Sequence, residues 1–208
     1  MRREHNKLEI TPTPVEFLDI DGSKSVATGI HLGPTINEVK MEFGIKMRSL
    51  SGTGFSSRMF AMANEPTYTS DKYPIQIYSY NNARLYNQSA YRSVSTNTYY
   101  VVTTWTYDNY RVISLNGGAQ TTNYYAPSSL KNTTKEIFLL NRVPLLITLT
   151  ASGFDGQVYY WKIYINGTLV RDYTMTTDGT NDYFYDNCGS ISDTTGTPYY
   201  LVEPYQHA

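Results

Sequence analysis

Val39-Lys40-Met41-Glu42-Phe43-Gly44-Ile45-Lys46-Met47-Arg48 is the stretch on which the fold turns. Val39, Met41, Phe43, Ile45 and Met47 are apolar, and Lys40, Glu42, Lys46 and Arg48 lie between them. Successive side chains of an extended chain point to opposite faces, so this order makes one face apolar and the other charged. A helix would scatter the same residues around its circumference. The stretch is a β-strand with one face toward a core and one toward water.

Similar segments follow at short intervals. Strands are predicted over 58–63, 75–80, 99–107, 110–115, 136–140, 145–150, 157–165 and 199–203. Asn116-Gly117 and Asn166-Gly167 separate extended runs, and Asn-Gly suits the positive-φ positions of a type I′ hairpin turn. The second pair joins the run 160–165 to the run 168–173. Trp105 and Trp161 fall inside strand patterns and are expected in the core. The segment from Tyr86 to Asn97, rich in Ser, Asn, Tyr and Thr, reads as a loop, and loops on a rigid scaffold often carry sites. Many short strands with turn signals between them predict an all-β, two-sheet antiparallel sandwich. Thr11-Pro12-Thr13-Pro14 ends a polar stretch, so residues 1–14 are expected as an extended arm and 15–208 as one domain.

Composition narrows the partners. The 21 Tyr favour strands, and 14 Gly with 9 Pro supply turns. Only 17% of residues are charged and the net charge is −1, which leaves no long-range field to attract nucleic acid or a membrane surface. Cys188 is the only cysteine, so no internal disulfide forms. Met1 to Lys7 carries positive charge with no apolar run behind it, so no secretory signal is expected, and no stretch has the ~20 apolar residues of a spanning helix.

Candidate sites are of two kinds. Exposed aromatic rings flanked by amides and charges suit sugars, and Tyr78, Tyr80, Asn82, Arg84 and Tyr86 form such a mixture, as do Asn123, Tyr124 and Tyr125. The same tyrosines also suit plain cross-strand packing or a protein–protein surface. Asp19 and Asp21, and a second group at Asp178 to Asp182, gather hard oxygens around a glycine turn, as a Ca²⁺ site requires. Asp and Asn in such turns commonly serve the backbone instead. Catalysis lacks a constellation: Glu16, Asp19 and Asp21 do not all share a strand face, and His5, His31 and His207 are far apart.

Several segments also resemble a known family. Val15-Glu16-Phe17-Leu18-Asp19-Ile20-Asp21-Gly22-Ser23 with Ala27-Thr28-Gly29-Ile30 is similar to the YIESTGTQYIDTGI opening of concanavalin A-like, laminin-G-like jelly-roll domains common in phage and prophage proteins of gut bacteria. Residues 154–173 resemble their GIYSFKIYDNGTLVRDF hairpin, and Phe184-Tyr185-Asp186-Asn187 their GLYDN. Met175 departs from the usual proline, and Cys188-Gly189-Ser190-Ile191 from the usual SGTFY. The resemblance implies a jelly roll appended to a virion or cell-surface protein. From it follow the functional expectations: a non-enzymatic virion-associated protein (capsid decoration, head fibre or tail component), displayed on the particle as a homo-oligomer among other virion proteins and touching host-surface glycans. The alternative is a lectin module of a bacterial surface protein, with a glycosidase a distant third.

Overall fold

The computed structural model of the chain describes residues 13–22, 25–50, 57–63, 74–80, 83–124, 130–132, 135–140, 152–179, 182–188 and 198–200. In chain order the strands begin β1 (Thr13–Pro14), β2 (Leu18–Asp21), β3 (Val26–His31), β4 (Glu38–Met47), β5 (Ser57–Ala63), β6 (Ile75–Tyr80), β7 (Arg84–Asn87), β8 (Ala90–Ser93) and β9 (Tyr99–Tyr107). They continue with β10 (Tyr110–Leu115), β11 (Thr121–Tyr124), β12 (Glu136–Leu139), β13 (Ser152–Gly153), β14 (Asp155–Ile165), β15 (Thr168–Thr177), β16 (Asp182–Asp186) and β17 (Pro198–Tyr200). Among the described residues these form two sheets. The larger runs β11-β10-β9-β4-β14-β15-β16-β17, with β2 beside β14 and β1 beside β15. The smaller runs β3-β12-β5-β6-β7-β8, and the two-residue β13 lies parallel to β5. All other pairings are antiparallel.

Alternation in β4 does what the sequence requires. Val39, Met41, Phe43, Ile45 and Met47 are at most 1% exposed, packed between the sheets. Phe43 lies directly opposite Trp161 of β14, and the two rings stack at 4.0 Å with planes 8° apart. Phe60 of β5 meets Phe154 edge-on at 5.1 Å, so aromatic rings line both layers of the core. The predicted turns form as expected, with φ of 52° and 67° at Asn116-Gly117 and 49° and 81° at Asn166-Gly167.

Two arginines point inward and tie the sheets together. Arg171 of β15 donates from Nε to the Thr28 carbonyl of β3 at 2.9 Å and sits 3.5 Å from the Asp186 carboxylate. Asp186 is fully buried, and its Oδ1 accepts the backbone N–H of Asp172 and of Cys188. Arg111 of β10, also fully buried, donates to Gln88 Oε1 and to the carbonyls of Tyr107, Tyr110 and Pro74. These contacts offset the cost of charges inside the sandwich, although among the described residues Asp186 Oδ2 accepts no hydrogen bond and has the ion-pair contact with Arg171 instead.

Some expectations need correction. The segment from Tyr86 to Asn97 is not one loop: it holds the end of β7 and all of β8, joined by a tight turn with Gln88 at φ 50°. Trp161 is core, but Trp105 is only half-buried and faces outward on β9. The predicted strand at 145–150, residues 201–203 and residues 1–12 of the expected arm lie outside the described residues, while Thr13–Pro14 pairs with β15.

The buried ion pair generates a stability prediction. Asp186→Ala strands the Arg171 guanidinium and is expected to cost about 3–5 kcal/mol in urea unfolding. Asp186→Asn is expected to cost less, because its amide oxygen still accepts the Asp172 and Cys188 N–H groups.

Candidate functional site

The outer face of the larger sheet is built in rows by the registers of β9, β4, β14 and β15. Tyr99, Lys46 and Gln157 form one row, and Val101, Gly44, Tyr160 and Thr174 the next. Thr103, Glu42, Lys162 and Asp172 follow, then Trp105, Lys40, Tyr164 and Leu169. One irregularity enriches this face. The β4–β14 register jumps between Val158 and Tyr160, so Tyr159 is an extra residue. Val158 and Trp161 both stay buried, while Tyr159 and Tyr160 are half-buried side by side.

Gly44 makes room for these rings. A Cβ there would lie 2.7 Å from Cε1 of Tyr160 and 2.8 Å from the Tyr99 hydroxyl, closer than such atoms approach. The Tyr160 ring therefore lies on the β4 backbone and remains partly exposed. Tyr99, 43% exposed, meets Tyr159 edge-on at 4.8 Å, and Tyr159 packs on Phe17 at 5.5 Å. Four residues away along β4, about 13 Å at strand spacing, Lys40 Nζ lies 4.6 Å from the Tyr164 ring centre and 5.6 Å from that of Trp105.

Beside Tyr99 the face dips into a cleft of about 90 Å³ lined by Lys46, Arg48, Asn97, Gly156 and Gln157. Gly156, at φ 148°, permits the cleft wall, because a Cβ there would stand 2.3 Å from the Lys46 carbonyl. The backbone N–H of Asn97 donates to the Met47 carbonyl at 2.7 Å, which holds that residue at the rim. Tyr159 Oη donates to Gln157 Oε1 at 3.0 Å, joining the aromatic platform to the cleft.

Electrostatics keep this face neutral in its phenols. Burial, and then Glu42 beside its hydroxyl, push Tyr160 up to about 12. Burial raises Tyr99 and Tyr159 as well, with Tyr159 a further cause for Tyr99 and Glu16 for Tyr159. The phenols are thus hydrogen-bonding hydroxyls at neutral pH. Charges nearby are largely paired: Lys162 with Asp172 at 3.8 Å, and Arg48 with both Asp19 and Asp155. Arg58 of the smaller sheet reaches the same Asp155 at 3.3 Å.

The residues singled out in the sequence fall elsewhere. Tyr78, Tyr80, Arg84 and Tyr86 do come together, on the outer face of the smaller sheet, and Asn82 lies outside the described residues. Tyr78 and Tyr86 stack on each other at 4.9 Å, Tyr86 leans on Tyr91 at 5.4 Å, and Arg84 covers Tyr91 at 4.2 Å. Those ring faces are therefore engaged with one another. Tyr124 is 62% exposed and meets Tyr110 edge-on, and Tyr125 lies outside the described residues. Asp19 and Asp21 share the outer side of β2, but the cation set against Asp19 is the Arg48 guanidinium. Asp178 accepts a hydrogen bond from Tyr183, and Thr180 and Asn181 lie outside the described residues. Among the described residues no three His, Cys, Asp or Glu side chains are grouped to hold a metal.

Sequence reasoning passed over Tyr99, Tyr159, Tyr160 and the cleft. The available signal was Gly44, a glycine amid charges on the wet face of an otherwise regular strand.

No protein-family model matches the chain, and no curated protein sequence does. Solved structures do resemble it. Domains LG4-5 of the mouse laminin α1 chain superpose with TM-score 0.52 at 9% identity, over 93% of this chain and 48% of theirs. The fold is concanavalin A-like. The CBM40 of the Ruminococcus gnavus IT-sialidase, bound to α2,3 sialyllactose, gives 0.48 at 11% identity over 73% of this chain and 90% of its own. Domain 4 of a GH43 arabinanase from Geobacillus stearothermophilus, in complex with arabinotriose, gives 0.47 at 12% identity over 81% and 78%. At these identities the likeness concerns the fold alone.

The Gly44 platform has a titration signature. NMR of ring-labelled tyrosine, assigned with Tyr160→Phe, is expected to show one phenol titrating near 12. Glu42→Gln and Gly44→Ala should each move it down toward 10, by removing the carboxylate or lifting the ring. Because folding raises this pKa, its contribution to stability is full below about pH 10 and is lost as pH climbs toward 12.

Proposed function

We propose that the chain is a non-enzymatic carbohydrate-binding module that holds its glycan on the outer face of the larger sheet. One observation carries this reading: the Tyr160 ring packs over Gly44 with the Tyr99 hydroxyl beside it, next to a polar cleft. A sugar ring has an apolar C–H face and a rim of hydroxyls. It is matched by a partly exposed aromatic surface bordered by a few fixed polar groups. Asn97, Gln157 and Lys46 supply such groups at one end, and Glu42, Lys162 and Asp172 run along the middle. The acidic side chains Asp19, Asp155 and Asp172 are held in ion pairs, which suits binding better than acid–base chemistry.

Display on a phage particle, as a decoration, head fibre or tail component, is supported by the sequence resemblance over residues 154–187. A module on a virion would use the same face to hold the particle near glycans of its host.

A broad glycan panel tests the site. Saturable binding is expected, and Tyr99→Ala or Tyr160→Ala should weaken it by about thirtyfold, the cost of truncating a central aromatic anchor. Tyr86→Ala should leave it unchanged. Chelator should also leave it unchanged, since Arg48 already neutralises Asp19. Loss on Tyr86→Ala with retention in Tyr160→Ala would move the site to the smaller sheet. Absence of binding across the panel would leave a purely structural role.

A further inference from the structure

We infer that the cleft beside Tyr99 receives the carboxylate of an acidic sugar, with Lys46 as its counter-charge. The inference rests on the glycan-binding reading above and narrows its ligand.

Among the side chains that line the cleft Arg48 is paired and Lys46 is not, while Glu16 beside Tyr159 and Glu42 beside Tyr160 lie outside its lining. Arg48 is engaged by Asp19 and Asp155, and Arg58 by Asp155, so two guanidinium groups face two carboxylates. Lys46 stands in the same wall and makes no ion pair among the described residues. It projects from the wet face of β4, between Tyr99 and Gln157 in register.

Hydrogen-bond capacity points the same way. Gln157 has its amide oxygen committed to the Tyr159 hydroxyl, which leaves its N–H₂ as the group on offer. Asn97 brings a second amide and Lys46 three N–H donors. The cleft is thus richer in donors than in acceptors. A neutral sugar hydroxyl both donates and accepts, whereas a carboxylate only accepts, through two oxygens. Charge-assisted bonds from an ammonium are also stronger than neutral ones. Tyr99 pairs in register with Lys46 and Tyr159 bonds Gln157, both cleft residues, so a pyranose seated on these rings would direct a ring carboxylate toward Lys46.

Calorimetric titration of the full chain with matched ligand pairs tests this. The pairs are trigalacturonate with its methyl ester, and sialyllactose with lactose. In at least one pair the acidic member is expected to bind about tenfold tighter or more, as a charge-assisted hydrogen bond implies, with the advantage shrinking in high salt. Lys46→Gln should erase that advantage, so that the acidic and neutral members of a pair bind equally, and leave the melting temperature unchanged. Lys46→Glu should make the neutral member the preferred one. Equal affinity within both pairs, or an acid preference that survives Lys46→Gln, overturns the inference. If neutral glycans still bind and are lost in Tyr160→Ala, the glycan-binding reading stands without it. If no glycan binds the wild-type chain, both fall.

Discussion

Phe43 and Trp161 face each other across β4 and β14 with rings 4.0 Å apart, and the outer face takes its arrangement from that contact. Side chains alternate along a strand, so fixing one residue inward fixes the phase of its neighbours. With Phe43 buried, Gly44 must face out. With Trp161 buried, Tyr160 must face out directly opposite Gly44. The extra residue at Tyr159 then allows Val158 to remain buried without reversing the rest of β14. A slip of one residue would bury Lys40, Glu42 and Lys46 and dismantle the core and the platform together.

The platform is rigid because its strands are held at both margins. β4 pairs with β9 on one side and β14 on the other, strands that lie far along the chain. Arg111 anchors β10 to the β6 and β7–β8 region, while Arg171 and Asp186 anchor β15 and β16 to β3. A third tie, from Arg48 through Asp155 to Arg58, joins the end of β4 to β5. Rings carried on such a frame lose little freedom on meeting a ligand, and pre-organisation of that kind is where affinity is conserved.

Much of this frame was legible in the sequence. The strong alternation of β4 gave its phase, and the runs 75–80, 99–107 and 110–115 coincide with β6, β9 and β10. The phase of β9 was not legible. Tyr99-Tyr100-Val101-Val102-Thr103-Thr104-Trp105-Thr106-Tyr107 has similar polarity on both faces, and the structure buries Val102, Thr104 and Thr106 while turning Trp105 outward. The hairpin at Gln88 lacked a glycine or asparagine at its positive-φ position, so its two strands read as a loop. The bulge at Tyr159 leaves no mark in the local pattern, because it depends on how β14 meets β4.

The two tyrosine-rich faces differ in a way that composition alone does not show. Tyr78, Tyr86 and Tyr91 stand on neighbouring strands with full-sized residues between them, and their rings turn to one another. Their faces are spent in cross-strand contact, which stabilises the edge of the smaller sheet. Tyr160 has a glycine opposite it, and its ring falls onto the backbone instead of against another ring. What separates the two arrangements is the size of the residue across the strand, a property of register that composition does not contain.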